Sequence, residues 1–160
     1  MRIGVVSDTH NHLRNVARIV ELFNAAAVER VVHTGDITQA KTLEVLRHLD
    51  APLHGVFGNN DERRSLSEAA KQHGLALAEP PLELHWSGRR IVVVHDPLDL
   101  RHALRDEHEL VLHGHTHRQV VERQPRRLTF NPGECAGHLT GHNTVGVVDL
   151  STLAIELLRF

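Results

Sequence analysis

Five short segments place Asp, Asn or His just past an apolar run: Asp8-Thr9-His10, Gly35-Asp36, Gly58-Asn59-Asn60-Asp61, His95-Asp96 and Gly114-His115-Thr116-His117. Carboxylate and amide oxygens and imidazole nitrogens are the side-chain donors that hold divalent ions, and a mixed set suits manganese, iron or zinc better than magnesium or calcium. Each segment alone has an ordinary reading. Ser7-Asp8-Thr9 can end a strand and cap the next helix, and Gly35-Asp36 and Gly58-Asn59 can be turn residues. His95 can be a bonded core residue, and Gly114-His115-Thr116-His117 a surface turn. Together they supply three histidines or carboxylates for each of two ions and one residue to share. The chain's 15 histidines, against 3% aromatic residues and no tyrosine, point the same way.

The elements that must carry these segments alternate in type. Ile3 to Ser7, Arg30 to His33 and Leu53 to Phe57 read as strands, and Leu13 to Ala27, Lys41 to Leu49 and Ser65 to His73 read as helices. That alternation is the pattern of βα units on a largely parallel sheet. Val16, Ile19, Val20 and Phe23 recur at three- and four-residue intervals and form one stripe to lay on that sheet. After Gly74 strands dominate: Leu82 to Trp86, Arg89 to His95, Leu110 to His113, His117 to Glu122, Arg127 to Phe130, Thr144 to Leu150 and Leu153 to Leu158, with one helix over Asp99 to Arg105. The expectation is an α/β fold of two packed mixed β-sheets flanked by helices, an αββα sandwich, as one domain over 1–160. In α/β sheets, ligands bind at the carboxyl ends of the strands, where all five segments fall.

Composition narrows the class. With 41% hydrophobic and 24% charged residues the chain is in the ordinary globular range, and a net charge of -2 offers no general attraction to nucleic acid. Cys135 is the only cysteine, so no disulfide can form within the chain, and a reducing cytoplasm is the expected location. No apolar stretch approaches the ~20 residues of a membrane span, and no signal peptide precedes the first strand. A homo-oligomer is compatible with the sequence.

The order of blocks D-x-H, G-D, G-N-x-[DE], H and G-H-x-H resembles the calcineurin-like metallophosphoesterases, in particular their small prokaryotic single-domain phosphodiesterase branch. The similarity continues through Asn131-Pro132-Gly133-Glu134. It implies that Asp8, His10 and His117 hold one divalent ion, that Asn59, His95 and His115 hold a second, and that Asp36 bridges them. The implied pair is manganese, with iron, zinc or nickel as alternatives. The implied reaction is hydrolysis of a small phosphate ester by a hydroxide bridging the ions, so no serine or cysteine nucleophile is needed.

Two positions depart from the family pattern. Asn60 stands where many relatives carry a histidine at the scissile phosphate; an amide can hydrogen-bond a phosphate but cannot deliver a proton. Asp96-Pro97 follows His95 where H-G-H is more usual. The resemblance favours a phosphodiesterase. A phosphomonoesterase of the same fold and a non-catalytic scaffold sharing it are the other readings. A metallo-β-lactamase-like hydrolase fits less well, because His117-Arg118 stands where its motif needs Asp-His.

Overall fold

Short apolar runs fold as strands and the three- and four-residue periodicities as helices, and the computed structural model describes residues 1–160. The first half runs β1 (Arg2–Val6), α1 (Leu13–Ala25), β2 (Arg30–His33), α2 (Ala40–Leu46), β3 (Leu53–Val56), α3 (Arg63–His73) and β4 (Ala76–Ala78). The second half runs β5 (Leu82–Trp86), β6 (Arg89–Val93), a 3-10 turn (Pro97–Asp99), α4 (Leu100–Ala103), β7 (Leu110–Leu112), β8 (Val120–Gln124), β9 (Arg127–Asn131), β10 (Thr144–Asp149) and β11 (Ala154–Arg159).

Two sheets result. The first has the order β11-β10-β1-β2-β3-β4, with β1 to β4 parallel and the last two strands antiparallel on the far side of β1. The second has the order β5-β6-β7-β9-β8, parallel at its centre and antiparallel at both edges. Ile3, Val5, Val32 and Val56 from the first sheet meet Ile91, Val93, Leu110, Leu112, Leu128 and Phe130 from the second, all at most 1% exposed. Burial of each such side chain contributes about 1.5–3 kcal/mol, which makes this seam the main bond between the sheets.

The expected stripe Val16, Ile19, Val20 and Phe23 lies buried on the outer face of the first sheet. Phe23 sits so close over Gly4 that a Cβ there would come within 2.9 Å of its ring. On the second sheet the outer layer is thin, with only α4 over Val92, Val94 and Val111. The architecture is thus the αββα sandwich of mixed sheets, with unequal helix layers.

Three element expectations change. The helix foreseen over Asp99 to Arg105 begins instead as the 3-10 turn, because Pro97 fixes its first position and the Asp96 carboxylate accepts the Leu98 N–H at 2.8 Å. The strand foreseen from His117 starts at Val120, leaving His117 in a loop with φ 58°. The three-residue edge strand β4, which begins two residues after the left-handed Gly74 that ends α3, was not foreseen. No helix is long and apolar enough to cross a membrane.

Candidate metal centre

Parallel strands end on one edge, so the loops after β1, β2 and β3 converge with those after β6 and β7. They deliver Asp8 and His10, Asp36, Asn59, His95, and His115 and His117 respectively. All seven side chains foreseen as ligands meet there. The first sheet supplies Asp8, His10, Asp36 and Asn59, and the second supplies the other three.

One donor from each of Asp8, His10, Asp36 and His117 lies within 4.8 Å of the others. His10 Nε2 is 3.2 Å from His117 Nε2, and His117 Nε2 is 3.4 Å from Asp8 Oδ1. A second group forms beside it. His95 Nε2 lies 2.9 Å from Asn59 Oδ1 and 3.3 Å from His115 Nδ1, and His115 Nδ1 lies 3.1 Å from Asn59 Oδ1. Asp36 Oδ2 stands between the groups, 3.5 Å from His10 Nε2 and 3.5 Å from His95 Nε2. Asn60 folds over this carboxylate, its backbone N–H donating to Oδ1 at 3.0 Å and its side-chain amide to Oδ2 at 2.8 Å.

Hydrogen bonds on the outer sides of the rings decide which atoms face inward. His95 Nδ1 donates to the Thr34 carbonyl at 2.9 Å, and His117 Nδ1 donates to Glu134 Oε2 at 2.7 Å. In the neutral rings each Nε2 is then a lone pair. Those lone pairs point at other acceptors, the Asn59 and Asp8 oxygens. Asp8 Oδ2 accepts from the Ser7 hydroxyl and from His115 N–H, yet its buried Oδ1 has no hydrogen-bond partner at all. An acceptor left this way costs ~1–3 kcal/mol or more if the group is charged. Acceptors gathered around acceptors are what cations relieve, and the donor set fits divalent ions with mixed nitrogen and oxygen shells.

The protein alone already sets the charges unevenly. Burial pushes the Asp8 carboxyl up. Burial acts the same way on Asp36, but without an ion a protonated His95, itself raised by Asp36 against the effect of burial, and Asn60 outweigh it and hold that carboxyl well below the usual range. His10 is lowered by burial. His33, buried beneath the site, is pushed down to about 3 by burial and keeps its ring neutral, with Nδ1 accepting the Gly35 N–H at 3.2 Å. Cys135 is fully buried and its thiol is pushed up to about 12 by burial, so it offers no thiolate.

The backbone is strained where the donors sit. Asp8, His10, Asp36, His115 and His117 have φ of 52°, 43°, 58°, 66° and 58°. Non-glycine residues in this region cost roughly 1–3 kcal/mol each and gather at functional sites. The glycines beside them serve close approach as well as turning. A Cβ at Gly58 would overlap the Asp36 carboxylate, one at Gly114 would overlap the Ser7 hydroxyl, and one at Gly35 would lie 2.6 Å from His95 Nδ1. Asp8 does not cap α1, as a bland reading would have it; His12 does, accepting the Asn15 N–H at 3.4 Å.

The calcineurin-like phosphoesterase superfamily domain matches residues 1–153. The chain belongs to this superfamily of phosphoric ester hydrolases. It is 34% identical to Phosphodiesterase MJ0936 of Methanocaldococcus jannaschii, over 93% of each chain. The structure of an archaeal phosphodiesterase superposes with a TM-score of 0.92 at 32% identity, covering all of both chains. Vps29 of Entamoeba histolytica shares the fold, with a TM-score of 0.72 at 19% identity over 100% of this chain and 99% of its own. Calcineurin-like phosphoesterases use divalent metals, and the cluster of Asp8, His10, Asp36 and His117 is a place to hold one in this member.

Sequence reasoning missed the outer partners. Glu134 was seen only as the end of an N-P-G-E block, although it follows β9 just as the other site residues follow their strands. Asp61, named in the G-N-x-[DE] block but given no role there, is buried and accepts the Gly58 N–H at 2.7 Å and the Thr38 N–H, tying two site loops together. Of the histidines left unassigned, His138 stands beside the site, its ring 5.7 Å from that of His10.

Proposed function

We propose that this chain, as a single metallophosphoesterase domain over 1–160, is a phosphodiesterase that holds two divalent ions, manganese in the first instance. The observation that carries the reading is the position of Asp36 Oδ2, 3.5 Å from one imidazole of each donor group. On this reading Asp8, His10 and His117 hold one ion, Asn59, His95 and His115 the other, and Asp36 both. Bound there, two divalent ions would supply an acidified water as nucleophile and positive charge against the phosphoryl oxygens.

The side chains do the remaining work. Ser7 and the His115 N–H hold Asp8 Oδ2, which leaves Oδ1 free for an ion. The Asn60 amide, which donates to Asp36 Oδ2 at 2.8 Å, is a donor beside the proposed ions, and it can bind a phosphoryl oxygen but cannot protonate a departing alkoxide. A diester is favoured by the relative that shares 34% of its residues and is a phosphodiesterase. A small phosphate ester is the substrate class, since the net charge of -2 gives no field for nucleic acid. A sole cysteine held as a thiol fits the reducing cytoplasm.

The test is hydrolysis of bis(p-nitrophenyl) phosphate by metal-stripped protein with manganese added back, beside Asp36→Asn. Metal-dependent turnover, reduced at least about 100-fold in the variant, is the expected outcome. Turnover of p-nitrophenyl phosphate, assayed alongside, in the absence of diester turnover would make the chain a phosphomonoesterase, and no turnover of either despite two bound ions would leave the scaffold.

A further inference from the structure

Glu134 is a charged side chain with no exposed surface, placed three residues past the end of β9, against His117. Its two oxygens divide the work. Oε1 accepts the N–H groups of Leu139 and Thr140 and the Thr140 hydroxyl, at 2.9, 2.5 and 2.8 Å. Oε2 accepts His117 Nδ1 at 2.7 Å and the His138 N–H at 2.8 Å, with a longer contact to Leu139 N–H. Oε1 is spent wholly on the loop after Ala136, while Oε2 serves both that loop and an imidazole of the site.

From this division we infer that Glu134 is the positioning residue of His117: it keeps the ring proton on Nδ1 and so leaves the Nε2 lone pair facing Asp8 Oδ1. The inference rests on the reading of His117 as a metal ligand. Neutral imidazole has one N–H, and only the ring nitrogen without it can bind an ion. Without an acceptor at Nδ1 the unpartnered Asp8 Oδ1 would draw the proton to Nε2, the atom that must stay bare. A carboxylate cannot donate, so its contact with Nδ1 admits only one tautomer. The same carboxylate carries the loop that places His138 5.7 Å from His10, so the tautomer and the position of that loop share one anchor.

Glu134→Gln inverts the ring contact, and Thr140→Ala serves as the control for the loop. The glutamine oxygen can keep the three donors of Oε1, while its amide NH2 takes the place of Oε2, gives up the His138 N–H bond and donates to His117 Nδ1, which forces the proton onto Nε2. Thr140→Ala removes one donor from the Oε1 side only and leaves the ring contact intact. The experiment is nitrogen NMR of the histidine rings at pH 8 in metal-free protein, with His117 assigned by loss of its signals in His117→Ala, followed by manganese titration of each variant.

Wild type and Thr140→Ala should show Nδ1–H at His117 and Glu134→Gln should show Nε2–H, with manganese affinity at one site falling about 10- to 100-fold in the glutamine variant alone. A merely structural Glu134 would leave the tautomer unchanged, and Nδ1–H in folded Glu134→Gln overturns the inference. If that variant does not fold, the wild type decides, since Nε2–H there overturns it equally. Wild-type protein that takes up no manganese would instead defeat the metal reading, and the ring signals would still decide what Glu134 does.

Discussion

At Asn60 the chain carries an amide where proton delivery would need a titratable group. The residue binds Asp36 through both its backbone and its side chain, and on the proposed reading its amide would meet a phosphoryl oxygen without being able to protonate the leaving group. Rates across a series of aryl and alkyl diesters should therefore fall steeply as the leaving group becomes more basic. Asn60→His should flatten that dependence. Equal rates for aryl and alkyl esters in the wild type would mean that another group delivers the proton. The residue types at the centre were legible in the sequence because metal chemistry selects so few of them. The partners that orient those residues were not, since Glu134 in N-P-G-E reads as part of a turn and the Thr34 carbonyl leaves no mark in a side-chain pattern.

At the scale of elements, loops at strand ends position the donors, and small residues let the loops touch. Gly58 has an ordinary φ, so alanine would be tolerated by the backbone there, but its Cβ would overlap the Asp36 carboxylate. Gly74 is the reverse case, with open space around it and φ of 68°. Gly58→Ala should lower stability by roughly 1–3 kcal/mol through overpacking and reduce ion uptake, while Gly74→Ala should cost about 1 kcal/mol and leave uptake unchanged. Thermal melts with and without manganese, together with a count of bound ions, separate the two; full ion binding in Gly58→Ala would show that the Asp36 loop can move aside. Periodicity made the helices and most strands readable, the stripe from Val16 to Phe23 most clearly. It failed for β4, whose three residues are too few to show a period, and for His117, where only the left-handed torsion breaks the strand.

For the whole molecule, the centre lies across the top of the seam between the sheets. Asp8, His10, Asp36 and Asn59 hang from one sheet and His95, His115 and His117 from the other, so any ion held by both sets joins the layers as the apolar seam does lower down. Ligands that bind only the folded state stabilise it, by about 2.7 kcal/mol when free ligand is at 100 times Kd. Chelation should lower the melting temperature and manganese should restore it, with a smaller response in His95→Ala, which removes a donor of the second sheet. A melting temperature indifferent to chelator would mean that no ion spans the seam.

The left-handed torsions at Asp8, His10, Asp36, His115 and His117 lie in loops held by the surrounding fold, through bonds such as Asp8 N–H to the Gly35 carbonyl at 3.1 Å and His10 N–H to the Asp36 carbonyl at 3.0 Å. Those bonds are made by the protein's own backbone, so the cost of the torsions is part of the stability of the fold. If the proposed two-ion centre forms there, replacing one metal by another is ligand exchange at a template the fold holds. Its rate should follow the lability of the departing ion, and amide exchange in the five loops should be the same whichever metal is bound.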